Sequence, residues 1–160
     1  HAAAMARTSL LERERYKPDQ WAHGPKWQRY AAGGERWFGF ECVRDLLGLP
    51  PEILLIPLPG HTRGHCAVAL DTGNGWLLHA GDAYFYRGEM HPTTPTCTPG
   101  LELFQRFFEI DGEKRLANQA RLRELVRSQG DKVRIFSAHD AVEFEALAAG
   151  RPMDVRSAVA

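Results

Sequence analysis

The pattern of hydrophobic and polar positions along this chain changes near residue 50. Residues 2–16 contain good helix formers without a breaker, which predicts a helix. Residues 17–40 lose this periodicity and carry a concentration of aromatic side chains: Trp21, Trp27, Tyr30, Trp37 and Phe38. These aromatics indicate either a small cluster packed beneath a long loop or a flap that covers a substrate. Residues 41–47 predict a short helix that ends at Gly48.

Short alternating elements follow. A continuous apolar run over 53–58 predicts a buried strand, and the alternation over 65–71 predicts a half-buried one. Gly-Asn-Gly then predicts a hairpin turn before a partner strand. The partner strand covers 76–80, and a loop follows over 84–99. Two helices are predicted over 101–110 and 113–129, and the second has an apolar stripe of Leu116, Leu122, Leu125 and Val126. The last predicted elements are a strand over 133–137 and a helix over 141–149.

This order predicts an α/β fold of the layered α+β type in one domain over 1–160. Within it we distinguish a helical and aromatic-rich segment, 1–50, from a core that bears the candidate chemistry, 51–150. Twenty basic and twenty acidic residues cancel, which argues against nucleic acid as a partner. No apolar run approaches the roughly 18 residues that span a bilayer, so no membrane partner is expected.

The cysteine pattern bears on the compartment. Three cysteines lie far apart, without a Cys-x-x-Cys pair: Cys42, Cys66 and Cys97. This spacing argues against a disulfide framework and against a thiolate zinc knuckle. We therefore expect a reducing, cytoplasmic compartment.

The candidate chemistry begins with the run Pro-Gly-His-Thr-Arg-Gly-His over 59–65. His61 and His65 have the spacing that places two ligands on one helix face. Pro59, Gly60 and Gly64 exclude a helix here, so the segment is a turn between two strands. We predict that His61, at the tip of the turn, is a metal ligand. His65 opens the next strand and is predicted to support the turn through a hydrogen bond, as outer-shell groups do.

Two further residues follow strand ends. Asp82 comes after the strand over 76–80, and its two oxygens could bridge two cations. His139 follows the strand over 133–137. Taken singly, Asp82 could instead cap a turn, and His139 could be a hydrogen-bonded residue at a strand end. Because the strand-end placement recurs three times, we interpret His61, Asp82 and His139 together as ligands of a divalent metal, zinc above all.

Pro-Gly-His-Thr-x-Gly-His, then Gly-Asp, then a strand-end His resembles the later motifs of the metallo-β-lactamase superfamily. This superfamily includes glyoxalase II-like thioesterases and N-acyl homoserine lactonases. The resemblance covers about residues 53–150 and implies part of an αββα sandwich with one or two metal ions, of which zinc is expected and iron or manganese are alternatives. It implies that His61 binds the first ion, that Asp82 bridges and takes part in catalysis, and that His139 binds the second.

The superfamily's His-x-His-x-Asp-His run is absent from this chain. We therefore expect a C-terminal portion of a longer fold that holds metal weakly by itself. Half a sandwich also predicts an apolar sheet face, covered by a second copy or by the missing N-terminal segment.

The resemblance implies hydrolysis of an ester, thioester or lactone, a small-molecule substrate, through a metal-bound hydroxide. Tyr84 and Tyr86 are candidate phenol donors to the substrate carbonyl, or packing groups of the loop. A Ser–His–Asp triad of Ser137, His139 and Asp140 is excluded, because such near neighbours cannot form the relay. Two alternatives stay open: a metal-free interaction module, and an iron-dependent oxygenase like the persulfide dioxygenases.

Overall fold

A computed structural model describes residues 5–31, 35–43 and 46–151 of the chain. The chain divides into two compact units, residues 1–31 and 32–160. The second unit contains a four-stranded sheet, a two-stranded hairpin and helices. Its elements are β1 (Glu35–Trp37), β2 (Phe40–Cys42), β3 (Ile53–Pro57), β4 (Cys66–Asp71), β5 (Trp76–His79), α2 (Pro99–Phe108), α3 (Gly112–Gln129), β6 (Val133–Phe136) and α4 (Ala141–Ala148).

The first unit is built around a short capped helix, α1 (Leu10–Arg15). Ser9 Oγ accepts the Glu12 N–H, and the Glu12 carboxylate accepts the Ser9 N–H, which is a reciprocal capping box. The helix predicted over 2–16 is confirmed in part: residues 5–6 and 10–15 are helical, and the chain leaves the helix over 7–9, where Ser9 caps the start of α1. Residues 2–4 of that prediction lie outside the described residues.

The four-stranded sheet has the order β3-β4-β5-β6. The β3–β4 and β4–β5 pairs are antiparallel, and the β5–β6 pair is parallel. The predicted hairpin turn between β4 and β5 is confirmed: Gly73 and Gly75 have φ values of 78° and 121°, which favour glycine. The connection from β5 to β6 passes through α2 and α3, as a parallel pair requires a long crossover.

One face of this sheet forms the core. The buried positions alternate along the strands, as in Leu54 and Ile56 of β3. They join the same apolar cluster as Leu122, Leu125 and Val126 of α3. The prediction that Leu116 belongs to this buried stripe is wrong, because the residue is 54% exposed. The mixed α/β class predicted from the sequence is confirmed, and no helix within the described ranges is long and apolar enough to cross a membrane.

The opposite sheet face is apolar and partly open to solvent. Val68 and Leu70 of β4 are 36% and 39% exposed, and Leu55 and Leu77 on the neighbouring strands are half-buried. The predicted association of this face with a second copy or a further segment stays a prediction.

The helix predicted over 41–47 is wrong where the structure describes it. Phe40–Cys42 is a strand that pairs with β1, and Val43 bridges to Leu55. The cause is long-range packing: Trp37 of the hairpin is buried against Trp76, with ring centroids 5.4 Å apart. Residues 44–45 lie outside the described part of the chain.

Gly60 fixes the turn after β3 against the start of α3. Its carbonyl accepts the N–H groups of Ile110 and Asp111, both at 3.0 Å. A Cβ at Gly60 would lie 2.6 Å from the backbone nitrogen of Arg115, and the residue has φ +150°. The backbones approach too closely for any side chain at this position.

We therefore expect Gly60→Ala to lower the free energy of unfolding by about 3 kcal/mol, through steric overlap and backbone strain. Gly64→Ala is the matched control, because nothing lies within 4 Å of a Cβ built there. The control should change stability by less than about 0.5 kcal/mol. Urea denaturation of both variants measures the difference, and equal effects would contradict this account of the turn.

Candidate metal site

The candidate site lies at one edge of the four-stranded sheet. β5 and β6 run parallel and their pairing continues beyond the strands: Ala80 N–H donates to the Phe136 carbonyl, and Ala138 N–H donates to the Gly81 carbonyl. Two successive antiparallel pairings give β3 the same direction as β5. The C-terminal ends of β3, β5 and β6 therefore lie at the same edge of the sheet.

The three predicted ligands meet at this edge. His61 Nε2 lies 3.5 Å from Asp82 Oδ2, and His139 Nε2 lies 3.0 Å from Asp82 Oδ1. The His61 side chain is largely buried, whereas those of Asp82 and His139 are partly exposed. Each oxygen of one carboxylate thus faces a different imidazole.

His65 links two of the segments that carry the candidate ligands. Its Nδ1 bonds to the Leu58 carbonyl, and its Nε2 accepts the Asp82 N–H, both at 2.9 Å. Since a carbonyl only accepts and an amide only donates, these partners select the neutral tautomer with the proton on Nδ1. Burial lowers the pKa of His65, which favours the same neutral form. A Cβ at Gly81 would lie 2.8 Å from Nε2, so glycine is required there.

Tyr84 does not reach the site. It is fully buried, and its hydroxyl donates to Glu143 Oε1 at 2.9 Å and Oε2 at 3.0 Å. Burial, followed by the charge of Glu143, raises the pKa of this phenol well above its usual value. This placement argues against the phenol-donor role predicted for Tyr84 and gives the side chain a packing role.

Glu143 holds the segments after β5 and β6 together. Besides the Tyr84 hydroxyl, it accepts the Ser137 N–H at 2.8 Å. Burial raises the pKa of this carboxyl to about 7, although both hydrogen bonds oppose the shift. Ser137 Oγ accepts the backbone N–H groups of His139 and Asp140, so its hydroxyl supports the backbone of this segment.

Several residues of the site were not predicted from the sequence. The Phe85 ring lies 4.2 Å from the His139 ring and 5.8 Å from the His61 ring, between centroids. Asp140 accepts the Arg87 N–H at 2.8 Å and forms an ion pair with its guanidinium at 3.2 Å. A cavity of about 570 Å³ opens beside them, lined by Phe85, Tyr86, Arg87, Leu101, Phe104, His139, Asp140 and Ala141. Of the lining residues, the sequence pointed to His139 and to Tyr86, whereas Asp140 had only its position directly after His139 as a signal.

These donors fit part of a metal site. Imidazole nitrogens and carboxylate oxygens are ligands that zinc accepts. The two imidazole–oxygen pairs share one carboxylate and would hold one or two divalent ions. Among the residues that the structure describes, no group of three or more His, Cys, Asp or Glu side chains is arranged to hold one ion. Each ion would thus need donors beyond these pairs.

No protein-family model matches the chain. Two curated proteins match it by sequence: Probable metallo-hydrolase Mb2322c of Mycobacterium bovis and Probable metallo-hydrolase Rv2300c of Mycobacterium tuberculosis. Each is 39% identical over 146 residues, which is 86% of this chain and 44% of the relative. The chain therefore resembles proteins named as metallo-hydrolases and spans less than half of their length.

The chain also has distant structural neighbours. One is an N-acyl homoserine lactone hydrolase with N-hexanoyl-L-homoserine bound at its catalytic metal centre. It is 24% identical, with a TM-score of 0.44, over 61% of this chain and 34% of the neighbour. A variant of AiiA from B. thuringiensis with bound N-decanoyl-L-homoserine gives a TM-score of 0.45 at 24% identity and the same coverage. Scores below 0.5 do not establish a common fold.

The raised pKa of Glu143 predicts a pH dependence of stability. The folded protein keeps the Glu143 proton up to about pH 7, whereas the unfolded chain releases it above about pH 4.5. The free energy of unfolding should therefore fall between these pH values, by on the order of 3 kcal/mol at most. In Glu143→Gln this contribution should vanish. Urea denaturation of both proteins across this range measures the difference, and parallel pH curves would refute it.

Proposed function

We propose that this chain is part of a metal-dependent hydrolase of the metallo-β-lactamase superfamily that acts on an ester, thioester or lactone. The observation that carries the proposal is the contact of two imidazole Nε2 atoms with the two oxygens of Asp82. The similarity to two proteins named as metallo-hydrolases supports it. The motif resemblance to the superfamily, and hence part of an αββα sandwich, belongs to the same proposal.

In this proposal His61, Asp82 and His139 would hold one or two divalent ions, zinc in the first place. The metal supplies, when bound, a lower pKa for water and polarisation of the substrate carbonyl. The Asp82 carboxylate contacts both imidazoles, and we assign it a part in proton transfer during catalysis. His65 orients Asp82 by accepting its backbone N–H.

The cavity beside His139 suggests which substrates fit. Phe85, Leu101 and Phe104 give it an apolar wall. The one cation in its lining, Arg87, is paired with the buried carboxylate of Asp140. An uncharged apolar substrate group therefore suits this cavity better than a phosphate or a carboxylate of the substrate would.

The compartment is part of the proposal as well. None of the three cysteines, all of which the structure describes, forms a disulfide, and Cys42 is buried. Free thiols persist in a reducing compartment, and we propose the cytoplasm.

A zinc titration followed by histidine side-chain NMR tests the metal site. We expect the imidazole resonances of His61 and His139 to respond first, because their nitrogens flank one carboxylate. His79 and His91 serve as internal controls. Asp82→Asn should weaken zinc binding to these histidines by more than about tenfold, because the loss of an outer-shell partner alone lowers metal affinity by about that factor.

Other outcomes of this titration would contradict the proposal. If the control histidines respond together with His61 and His139, zinc binds nonspecifically. If no histidine responds, the chain is better described as a metal-free interaction module. If the protein instead retains iron and consumes oxygen, the oxygenase alternative is correct.

The apolar cavity predicts a preference for longer acyl groups. We expect hexanamide to bind more tightly than acetamide by more than tenfold, because each buried methylene contributes about 0.8 kcal/mol. Phe104→Ala should remove this advantage, since Phe104 lines the cavity. Phe107→Ala is the matched control: it lies on the same helix, is 70% exposed and does not line the cavity. Chemical-shift titration measures both affinities, and an equal loss in the two variants would refute this assignment.

A further inference from the structure

Glu89 is a buried carboxylate at the centre of a hydrogen-bond network beside the candidate site. It lies in the 3₁₀ turn Arg87–Met90 and is 5% exposed. Its Oε1 accepts the N–H groups of Phe85 and Tyr86, both at 3.0 Å. A buried carboxylate is costly unless hydrogen bonds compensate it, so a residue of this kind needs an explanation.

The second oxygen ties the turn to two helices. Glu89 Oε2 accepts Gln105 Nε2 from α2 and Gln119 Nε2 from α3, both at 3.0 Å. The Glu89 main-chain carbonyl also accepts Arg123 Nη1 at 3.2 Å. One side chain thus satisfies four N–H donors from three separate segments.

The backbone that Glu89 holds carries Phe85. The Phe85 ring is buried and lies against His139 at 4.2 Å and His61 at 5.8 Å, between centroids. Contact with a fixed aromatic ring restricts the rotation of an imidazole. The orientation of each imidazole decides whether its Nε2 faces Asp82.

We propose that Glu89 is a positioning residue of the candidate site: by binding the amides of Phe85 and Tyr86, it holds the Phe85 ring against the imidazoles of His61 and His139. The proposal rests on the proposed function in one respect, that these imidazoles are ligands. Glu89 itself touches neither imidazole in this account and acts through Phe85.

No isosteric replacement keeps this network. In Glu89→Gln an amide nitrogen must face a donor pair, either the Phe85 and Tyr86 amides or the two glutamine side chains. Gln105 cannot flip without losing the contact of its Oε1 with Arg115 Nη1, and Gln119 Nε2 also donates to the Ala83 carbonyl. At least one buried donor is therefore left facing another.

A double-mutant cycle tests the proposal on the metal-free protein. We expect Glu89→Gln to shift the imidazole resonances of His61 and His139, and Phe85→Leu to shift the same resonances. In the Phe85→Leu background, Glu89→Gln should add little, because the path through Phe85 is already lost. Additive shifts, or a Glu89 variant that leaves both histidines unchanged, would overturn the proposal.

Two further variants separate positioning from loss of stability. Leu125→Ala removes a buried side chain of α3 that makes no hydrogen bond to the turn, and it should leave the imidazole resonances in place. Gln105→Met removes one of the four donors and should give a smaller shift in the same direction as Glu89→Gln; it also serves if Glu89→Gln does not fold. Equal shifts in Leu125→Ala and Gln105→Met would show a general effect of stability and overturn the proposal.

Zinc affinity provides the second readout. Glu89→Gln should weaken zinc binding by about tenfold, as outer-shell changes do. If the imidazole shifts obey the cycle while no variant binds zinc, the proposed function fails and the positioning role stands. If zinc binds to His61 and His139 with equal affinity in wild type and Glu89→Gln, the positioning role fails and the metal site stands.

Discussion

The parallel pairing of β5 with β6 is the constraint on which the candidate site depends. The ladder continues past both strands through the Ala80–Phe136 and Ala138–Gly81 hydrogen bonds. Asp82 and His139, which are 57 residues apart in sequence, therefore leave the sheet side by side. β3 has the same direction as β5 and brings His61 to this edge. If this ladder were shifted by one residue, the side chains would point to opposite faces and the contacts with Asp82 would be lost.

Buried polar side chains then fix the turns that leave the strands. His65 joins the Leu58 carbonyl to the Asp82 amide, and Glu143 joins Tyr84 to the Ser137 amide. Glu89 does the same for the amides of Phe85 and Tyr86. In each case one buried or half-buried side chain satisfies backbone groups that regular structure leaves unpaired. Hydrogen bonds of this kind lock the backbone of the loops that carry the candidate ligands.

The sequence predicts the local features of this fold well. The strands over 53–58, 65–71 and 76–80 have clear apolar periods, and Gly-Asn-Gly marks the turn between the last two. The strands β1 and β2 are only three residues long, and Trp37 stabilises them by packing on Trp76. Such nonlocal packing leaves no local period, and the local pattern over 41–47 therefore predicts a helix where the structure has a strand. Helix α4 also departs from the usual pattern: it exposes Phe144 and buries Glu143, whose carboxylate accepts the Tyr84 hydroxyl and the Ser137 N–H.

The part of the candidate site that follows a local sequence motif could be predicted. His61 and His65 stand in a specific glycine-rich run, whereas Phe85 and Glu89 are single residues without a motif. Their roles arise from contacts with segments far along the chain. The most direct test of the central claim is anomalous diffraction at the zinc edge from crystals grown with zinc. The account predicts zinc about 2.0–2.2 Å from Nε2 of His61 or His139, with an Asp82 oxygen as a further ligand. Zinc bound elsewhere, or these imidazoles turned away from Asp82 and the metal, would contradict it.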